Sequence, residues 1–156
     1  MARQVSVCGP RHATEGERQA AHQVGRLLAQ AGATVVCGGG TGVMAAVVAG
    51  ARSENGLVIG VRPGNSSDDA NDDLSAVIVT NMGEARNAVI VWSADAVISV
   101  GCSWGTLSEI SLAKRRGGIP VISLLGWTVV RGDGSPLPDP PLTATTPEEA
   151  VELALR

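Results

Sequence analysis

The sequence predicts an α/β protein with a Rossmann-like three-layer α/β/α architecture and a mainly parallel sheet of about six to seven strands. Short runs rich in β-branched residues alternate with longer segments of helical periodicity, which is the order that builds a parallel sheet. The short runs are apolar almost throughout, as strands buried on both faces require. The 156 residues contain no internal repeat and no linker, so we expect one domain spanning 1–156.

Six strands and five helices follow from these patterns. The strands are expected at 4–8, 34–37, 57–61, 76–80, 96–100 and 120–125. The helices are expected at 15–31, 42–53, 83–93, 106–116 and from 147 to the end. Two polar segments, 62–73 and 127–142, are expected to be surface loops.

Residue patterns at the segment ends support these boundaries. Three helices begin with a T-x-x-E pattern, in which threonine and glutamate cap the helix reciprocally: Thr14 with Glu17, Thr106 with Glu109, and Thr146 with Glu149. The basic run 114–116 falls in the last turn of a predicted helix, where cations suit the helix dipole. On spacing alone, Glu109 is therefore a capping residue.

Composition excludes several classes of protein. The chain is 44% hydrophobic and carries 20 glycines, too apolar for a disordered chain and too rich in glycine for a helical bundle. Its net charge is −3 with no long basic run, so we expect no nucleic acid partner. No segment is apolar for long enough to act as a signal peptide or to span a membrane, so we expect a cytoplasmic protein without a membrane partner.

Cysteine usage argues against disulfides and metal binding. Cys8, Cys37 and Cys102 are an odd number of cysteines without C-x-x-C spacing. We expect reduced thiols and no metal site. All three follow or end strands, which allows a thiol cluster, but small buried side chains explain them as well.

A binding site is expected where the strands end, because the ligand crevice of an open parallel sheet lies beyond its carboxyl ends. The segments at these ends all contain glycine: 9–14, 38–42, 62–67, 81–86 and 101–106. Three of them carry an arginine, namely Arg11, Arg62 and Arg86. Glycine lets backbone N–H groups approach an anion, and helix N-termini add positive potential, so this edge is suited to phosphate.

Arg86 is the strongest of these candidates. It falls in the first turn of a predicted helix, where the helix dipole disfavours a cation. A bound anion would remove that conflict. A salt bridge to Glu84 or a solvated surface position would also explain the residue.

Other nucleotide-site and catalytic motifs are weak or absent. Residues 40–45 match G-x-G-x-x-G/A, but they follow the second strand, and Arg62 stands where the motif expects an acidic ribose ligand. NADP binding would require Arg62 to contact a 2′-phosphate. No P-loop and no convincing Ser/His/Asp or Cys/His arrangement is present, although His12 follows the first strand and could reach the crevice.

Five motifs occur together along most of the chain: G-G-G-T-G-V-M at 38–44, V-I-G-V at 58–61, A-R-N at 85–87, A-D-A-V-I-S-V at 94–100 and G-C-S-W-G-T-L-S-E at 101–109. This combination resembles the superfamily of Lonely Guy-type proteins. One branch comprises phosphoribohydrolases, which split a cytokinin nucleotide or AMP into base and ribose 5-phosphate. A second branch is similar to the molybdenum-cofactor carrier proteins.

This chain is more similar to the carrier-like branch. Arg86 matches the motif arginine of the superfamily, and Asn87 stands where the hydrolases have lysine. The hydrolases' motif P-G-G-x-G-T-x-x-E is matched at four positions: Gly101, Gly105, Thr106 and Glu109. Trp104 stands where tyrosine is frequent, while Val100 and Cys102 replace the motif proline and its second glycine.

The resemblance implies a protein that binds a phosphorylated nucleotide or pterin at the strand carboxyl ends, with the molybdenum cofactor or a nucleotide as bound ligand. Together with the loop composition, it predicts a set of ligand-binding residues: Gly9, Arg11, Gly39, Gly40, Thr41, Gly42, Arg62, Asn87, Gly101, Ser103, Gly105 and Thr106.

The alternative that the resemblance implies is a nucleoside 5′-monophosphate phosphoribohydrolase. In that case Arg86 would help to hold substrate, and Glu109 would bind the ribose hydroxyls and stabilise an oxocarbenium-like centre. Because family members commonly assemble, we also expect a homo-oligomer, a dimer or tetramer. The apolar helix segment 88–92 is either a contact face or part of the core.

Overall fold

A seven-stranded, all-parallel sheet forms the centre of the computed structural model, which describes residues 1–156. Its strands are β1 (Gln4–Cys8), β2 (Thr34–Cys37), β3 (Val58–Arg62), β4 (Ala76–Val79), β5 (Ala96–Val100), β6 (Val121–Leu124) and β7 (Leu142–Ala144). The five α-helices are α1 (Glu15–Gln30), α2 (Val43–Ser53), α3 (Arg86–Trp92), α4 (Trp104–Arg116) and α5 (Pro147–Leu155). A short 3-10 helix, Gly83–Ala85, precedes α3.

Helices cover both faces of the sheet. α1, α2 and α5 pack on one face, and α3 and α4 pack on the other. The interior strand β5 shows how the sequence builds the two cores, because Ala96, Ile98 and Val100 join the larger cluster while Val97 joins the smaller one. The predicted Rossmann-like α/β fold is confirmed.

The predicted elements match the observed ones to within two residues at most of their ends. The clearest omission is β7, which begins at the last residue of the expected loop 127–142. Only three residues long and mostly exposed, β7 carries too little apolar pattern to be recognised. No helix has the length and apolar character that would let it cross a membrane.

The helix starts agree with the sequence in part. Thr14 and Glu17 form the expected capping box of α1. At α5 the Thr146 hydroxyl accepts from the Glu149 N–H as predicted, but the Glu149 carboxylate accepts from Thr145 instead. The basic residues of 114–116 occupy the last turn of α4, as expected.

The predicted capping role of Thr106 and Glu109 is wrong. α4 begins two residues earlier, and Ser103 is its N-cap, with its hydroxyl accepting from the Thr106 N–H at 3.2 Å. Thr106 is therefore inside the first turn, and Glu109 lies on the buried side of the helix. This change leaves the Glu109 carboxyl without its expected structural role.

The strand order β4-β3-β2-β1-β5-β6-β7 creates a crevice between β1 and β5. The chain leaves β1 toward α1 on one face, and it leaves β5 toward α4 on the other face. The two connections diverge, so a gap opens beyond the carboxyl ends of this strand pair.

Helices α1 and α2 approach each other closely at two glycines. A Cβ atom added at Gly25 would collide with the carbonyl oxygen of Val47, and one added at Gly50 would collide with that of His22. Both obstacles are helix backbone, which cannot move aside without separating the helices.

We predict that Gly50→Ala lowers the free energy of unfolding by about 1–3 kcal/mol, because the added methyl forces α1 and α2 apart. The matched control is Gly16→Ala, at an exposed position in α1 where the nearest atom to the new methyl is 4.0 Å away. That change should leave stability unchanged or raise it by up to about 1 kcal/mol. Urea unfolding of both variants tests the packing, and equal effects would refute it.

Candidate ligand-binding cleft

A cleft of about 660 Å³ opens beyond the carboxyl ends of β1 and β5. Its walls are the segment that follows β1, the first turn of α4, the start of α3 and the indole of Trp127. Most of its lining residues are polar or charged or are glycines. It lies at the crevice that the strand order creates.

The structure brings eight of the proposed site residues to this cleft: Gly9, Arg11, Arg86, Asn87, Ser103, Gly105, Thr106 and Glu109. The other six do not line it: Gly39, Gly40, Thr41, Gly42, Arg62 and Gly101. His12, which the sequence placed near the crevice, is an exposed residue of its wall.

The glycine loop after β2 contributes only Gly38 to the wall, next to the Arg86 guanidinium. Gly42 precedes α2 with φ of 67°, and its Cα packs against the carbonyl groups of Pro10 and Arg11 so tightly that a Cβ would not fit. The loop therefore packs against the segment after β1 and supports it, while most of the loop does not line the cleft.

Arg62 ends β3 and is buried behind the loop. Its Nη1 donates to the carbonyl of Gly38 at 3.2 Å, and its Nη2 pairs with the exposed Asp69 carboxylate at 2.8 Å. The Nε atom of Arg62 is buried without a hydrogen-bond partner. The contact with Arg62 lowers the pKa of Asp69, so this carboxylate stays ionised at neutral pH.

Arg86 carries the most unusual charge in the cleft. Only 5% of the residue is exposed, its Nη1 donates to the carbonyl of Val61 at 3.1 Å, and its Nε is buried without a partner. None of the five ion pairs of the structure includes it, so neither a salt bridge to Glu84 nor surface solvation accounts for this arginine. Burial lowers the pKa of Arg86, and the Glu109 and Glu84 carboxylates oppose that shift.

Glu109 faces the cleft from α4 and is 9% exposed. Burial raises the pKa of Glu109 to about 7, the Cys8 thiol and the Arg86 guanidinium oppose that effect, and Glu84 adds to it. The carboxyl is therefore poised to change its charge near neutral pH, which is typical of functional carboxyl groups.

The three cysteines are free thiols. Burial raises the pKa of all three thiols, and it raises that of Cys37 to about 11. None is a thiolate at neutral pH, so none is an activated nucleophile. Cys8 and Cys102 border the cleft as weakly polar wall atoms.

The first turn of α4 presents open backbone donors to the cleft. Ser103 caps the Thr106 N–H, but the N–H groups of Trp104 and Gly105 have no acceptor within the chain. The helix dipole adds partial positive charge at this end. Together with Arg86, these groups favour an anion.

Several residues of the cleft escaped the sequence analysis. Trp127 was assigned to a surface loop, yet its indole packs edge-to-face on Trp104 at the mouth of the cleft, with ring centroids 5.2 Å apart. Met44 also lines it, as do Pro10 and Glu84, which fall within the expected segments 9–14 and 81–86 but were not singled out as ligand-binding residues. No local sequence pattern marks Trp127, because it reaches the site only through the pairing of β6 with β5.

Comparisons with known proteins agree with this picture. A sequence model of the SLOG cluster4 family matches residues 2–150. An uncharacterized protein of Archaeoglobus fulgidus is 40% identical over 152 residues, covering 97% of this chain and 94% of its own. These matches, with the structural ones below, confirm the resemblance drawn from the motifs.

Two solved structures are similar over nearly the whole chain. The molybdenum cofactor binding protein from Rippkaea orientalis is 32% identical, with a TM-score of 0.87 over 98% of this chain and 95% of that one. The molybdenum cofactor carrier protein from Chlamydomonas reinhardtii is 25% identical, with a TM-score of 0.82 over all of both chains. The similarity supports ligand binding in a general sense.

A more distant similarity concerns the fold alone. DNA processing protein A from Streptococcus pneumoniae is 18% identical, with a TM-score of 0.73 over 97% of this chain and 61% of that one. At this identity, the activity of that protein carries no information about the present cleft.

The raised pKa of Glu109 predicts that stability falls as the pH rises. A carboxyl with a folded-state pKa of about 7 and an unfolded value near 4.5 holds its proton more tightly in the folded state, so its stabilising effect is complete below about pH 4.5. It is lost between about pH 4.5 and 7, at a cost on the order of 3 kcal/mol.

Urea unfolding across this pH range measures the slope of the free energy of unfolding against pH. Glu109→Gln should flatten it, whatever the absolute stability of the variant. Asp72→Asn, at an exposed carboxyl that forms no ion pair, should leave it unchanged. A slope that survives in Glu109→Gln would contradict the assignment.

Proposed function

The chain belongs to the SLOG cluster4 family, and we propose that it binds a phosphorylated nucleotide or pterin at the carboxyl ends of β1 and β5 and carries this ligand without converting it. The phosphate is the part of the ligand that the residues of the cleft address most directly. The heterocycle and the ribose or pyran part occupy the rest of the cleft.

The buried charge of Arg86 is the observation that carries this proposal. An isolated charge inside a protein is costly unless a counter-ion compensates for it, and no carboxylate pairs with this guanidinium. Among the carboxylates, Glu109 has the largest influence on the pKa of Arg86, but its own burial keeps it partly protonated near neutral pH. A phosphate would supply the missing negative charge and accept a hydrogen bond from the guanidinium.

The start of α4 gives the phosphate a second set of contacts. The N–H groups of Trp104 and Gly105 are open, and the absence of a side chain at Gly105 leaves room for an anion to approach. Asn87 lies beside Arg86 in the same wall, and Arg11 adds a further positive charge at the rim. These groups together resemble the phosphate sites of other open α/β sheets.

The molybdenum cofactor is one candidate for the carried ligand. Two structurally similar proteins are named for binding or carrying it. The chain has no cluster of three or more His, Cys, Asp or Glu side chains that could hold a metal ion. We therefore propose that such a cofactor would be held through its phosphate and its pterin ring.

Phosphoribohydrolase activity is the second candidate, and the position of Glu109 favours it. Glu109 and Arg86 line the same cleft and influence each other's pKa. An ionised Glu109 would stabilise positive charge at C1′ while the bond from C1′ to the base breaks, and the oxygen of a water molecule would then form a bond to C1′. The departing base would take up one proton of that water.

The remaining parts of the proposal concern partners and location. We propose a homo-oligomer, supported by exposed apolar side chains on α3 and β4, notably Trp92, Ile78 and Val79. Ile90 and Val91 of the segment 88–92 belong instead to the core. The three free thiols fit a cytoplasmic location, and the net charge of −3 makes nucleic acid an unfavourable partner.

The binding proposal predicts that AMP and inorganic phosphate raise the unfolding temperature, by about 5–10 °C at saturating AMP. Arg86→Met should weaken AMP binding by about 10-fold to 100-fold, since contacts to a charged group are lost. The free variant should unfold at the same or a higher temperature, because a buried unpaired charge has been removed.

Thermal-shift titration measures both effects. Arg52→Ala is the control, since Arg52 is exposed at the opposite end of α2. Undiminished stabilisation of Arg86→Met by AMP would refute the assigned site.

The two candidate functions are separated by incubating the protein with AMP and assaying free adenine by chromatography. The carrier function predicts no release at any enzyme concentration. The hydrolase function predicts release that increases as Glu109 ionises, with a midpoint near pH 7 in kcat/KM, which reports the free protein. Glu109→Gln should abolish this release while AMP binding persists. Such release would overturn the carrier proposal.

A further inference from the structure

Two exposed tryptophans stand together at the mouth of the cleft. The indoles of Trp104 and Trp127 meet at an interplanar angle of 78° with centroids 5.2 Å apart, and both line the cleft. Trp104 is 79% exposed. Single exposed aromatic residues are common. An edge-to-face pair is less so, because the fold must bring two separate segments of the chain together to form it.

The backbone fixes both rings relative to the proposed phosphate site. Trp104 is the first residue of α4, so its indole projects from the same residue whose N–H is open to an anion. Trp127 follows β6, and its backbone N–H lies beside the Cys102 sulfur, which is itself next to α4. Trp127 and Cys102 also border a second cavity of about 490 Å³, so they form the partition between that cavity and the cleft.

The third tryptophan provides a contrast. Trp92 is also exposed, but the guanidinium of Arg116 lies over its ring at 4.9 Å from the centroid, and Trp92 does not line the cleft. Neither Trp104 nor Trp127 has a cation over its ring. At least one broad face of Trp104 is therefore available to another flat group, because an edge-to-face contact covers one face at most.

We propose that Trp104 stacks on the heterocycle of the bound ligand, with Trp127 holding the Trp104 indole in place by its edge-to-face contact. This inference rests on the proposed phosphate site, because the phosphate at α4 brings the attached ring to the mouth of the cleft. A fused two-ring heterocycle, a purine or a pterin, covers more of an indole face than a single pyrimidine ring. The pair therefore selects ligands by the size of their flat ring.

The expected effect follows from base stacking. Stacking of a base on an aromatic side chain contributes about 1–3 kcal/mol, which corresponds to about 5-fold to 150-fold in affinity. GMP and AMP should therefore bind more tightly than UMP, and all three should bind more tightly than ribose 5-phosphate, which has no ring to stack.

The experiment uses the Trp92→Phe protein as its background, because Trp104 and Trp127 are then its only tryptophans. Titration with GMP or AMP should quench their fluorescence strongly, whereas ribose 5-phosphate should bind with little quenching. Adding Trp104→Ala should reduce the affinity for GMP by at least about 5-fold and leave that for ribose 5-phosphate unchanged. Trp104→Phe should restore part of the lost affinity, because an aromatic face is present again.

The outcomes separate this proposal from the one on which it rests. If ribose 5-phosphate binds as tightly as GMP, or if Trp104→Ala weakens both equally, stacking is overturned while the phosphate site stands. If neither compound nor inorganic phosphate binds, the proposed function itself fails. A further outcome is that Trp104→Ala changes the mass of the assembly in light scattering while the affinities for GMP and ribose 5-phosphate stay the same. The pair would then be a contact between copies of the chain, and stacking would again be overturned.

Discussion

The buried charge of Arg86 is the constraint on which the rest of the site depends. The guanidinium is held between β3, whose Val61 carbonyl accepts one hydrogen bond, and the glycine loop at Gly38, which can approach only because it has no side chain. The first residue of a helix is an unfavourable place for a cation, and burial makes it more so. A fold that maintains this arrangement without a carboxylate partner retains positive potential at one end of its sheet.

Glu109 responds to the same potential. Its pKa of about 7 reflects burial opposed by Arg86 and Cys8, so it is neither a firm counter-ion nor a permanently neutral group. An anion bound next to Arg86 would compete with ionised Glu109 for the guanidinium and would favour the protonated carboxyl. Ligand binding and the protonation of Glu109 are therefore thermodynamically linked. The same carboxyl can thus serve a carrier, in which it remains neutral, or a hydrolase, in which it must ionise.

The sequence was informative where local rules decide the outcome. Alternating apolar runs identified the sheet and its helices, and the conflict between Arg86 and the helix dipole marked the residue that turned out to be buried and unpaired. It misassigned the start of α4, because Ser103 and Thr106 are both good capping residues and only the path of the chain after β5 selects Ser103.

Features that depend on distant segments could not be read from the sequence. The glycine loop after β2 looked like a phosphate loop, but packing against Pro10, Arg11 and Arg62 places most of it behind the cleft wall. Trp127 reaches Trp104 only because β6 and β5 are neighbours in the sheet. The charge on Glu109 likewise depends on its burial and on Cys8 of β1 and Arg86 of α3, which its own helix does not reveal.

NMR of the backbone amides and arginine Nε–H groups of the 15N-labelled protein during an AMP titration tests the central claim most directly. The largest shifts should occur at the N–H groups of Trp104 and Gly105 and at the Nε–H of Arg86. The amides of Gly40 and Gly42 should respond little, since they lie outside the cleft. Largest shifts in the glycine loop, with the start of α4 and Arg86 unchanged, would contradict the account and place the phosphate at α2 instead.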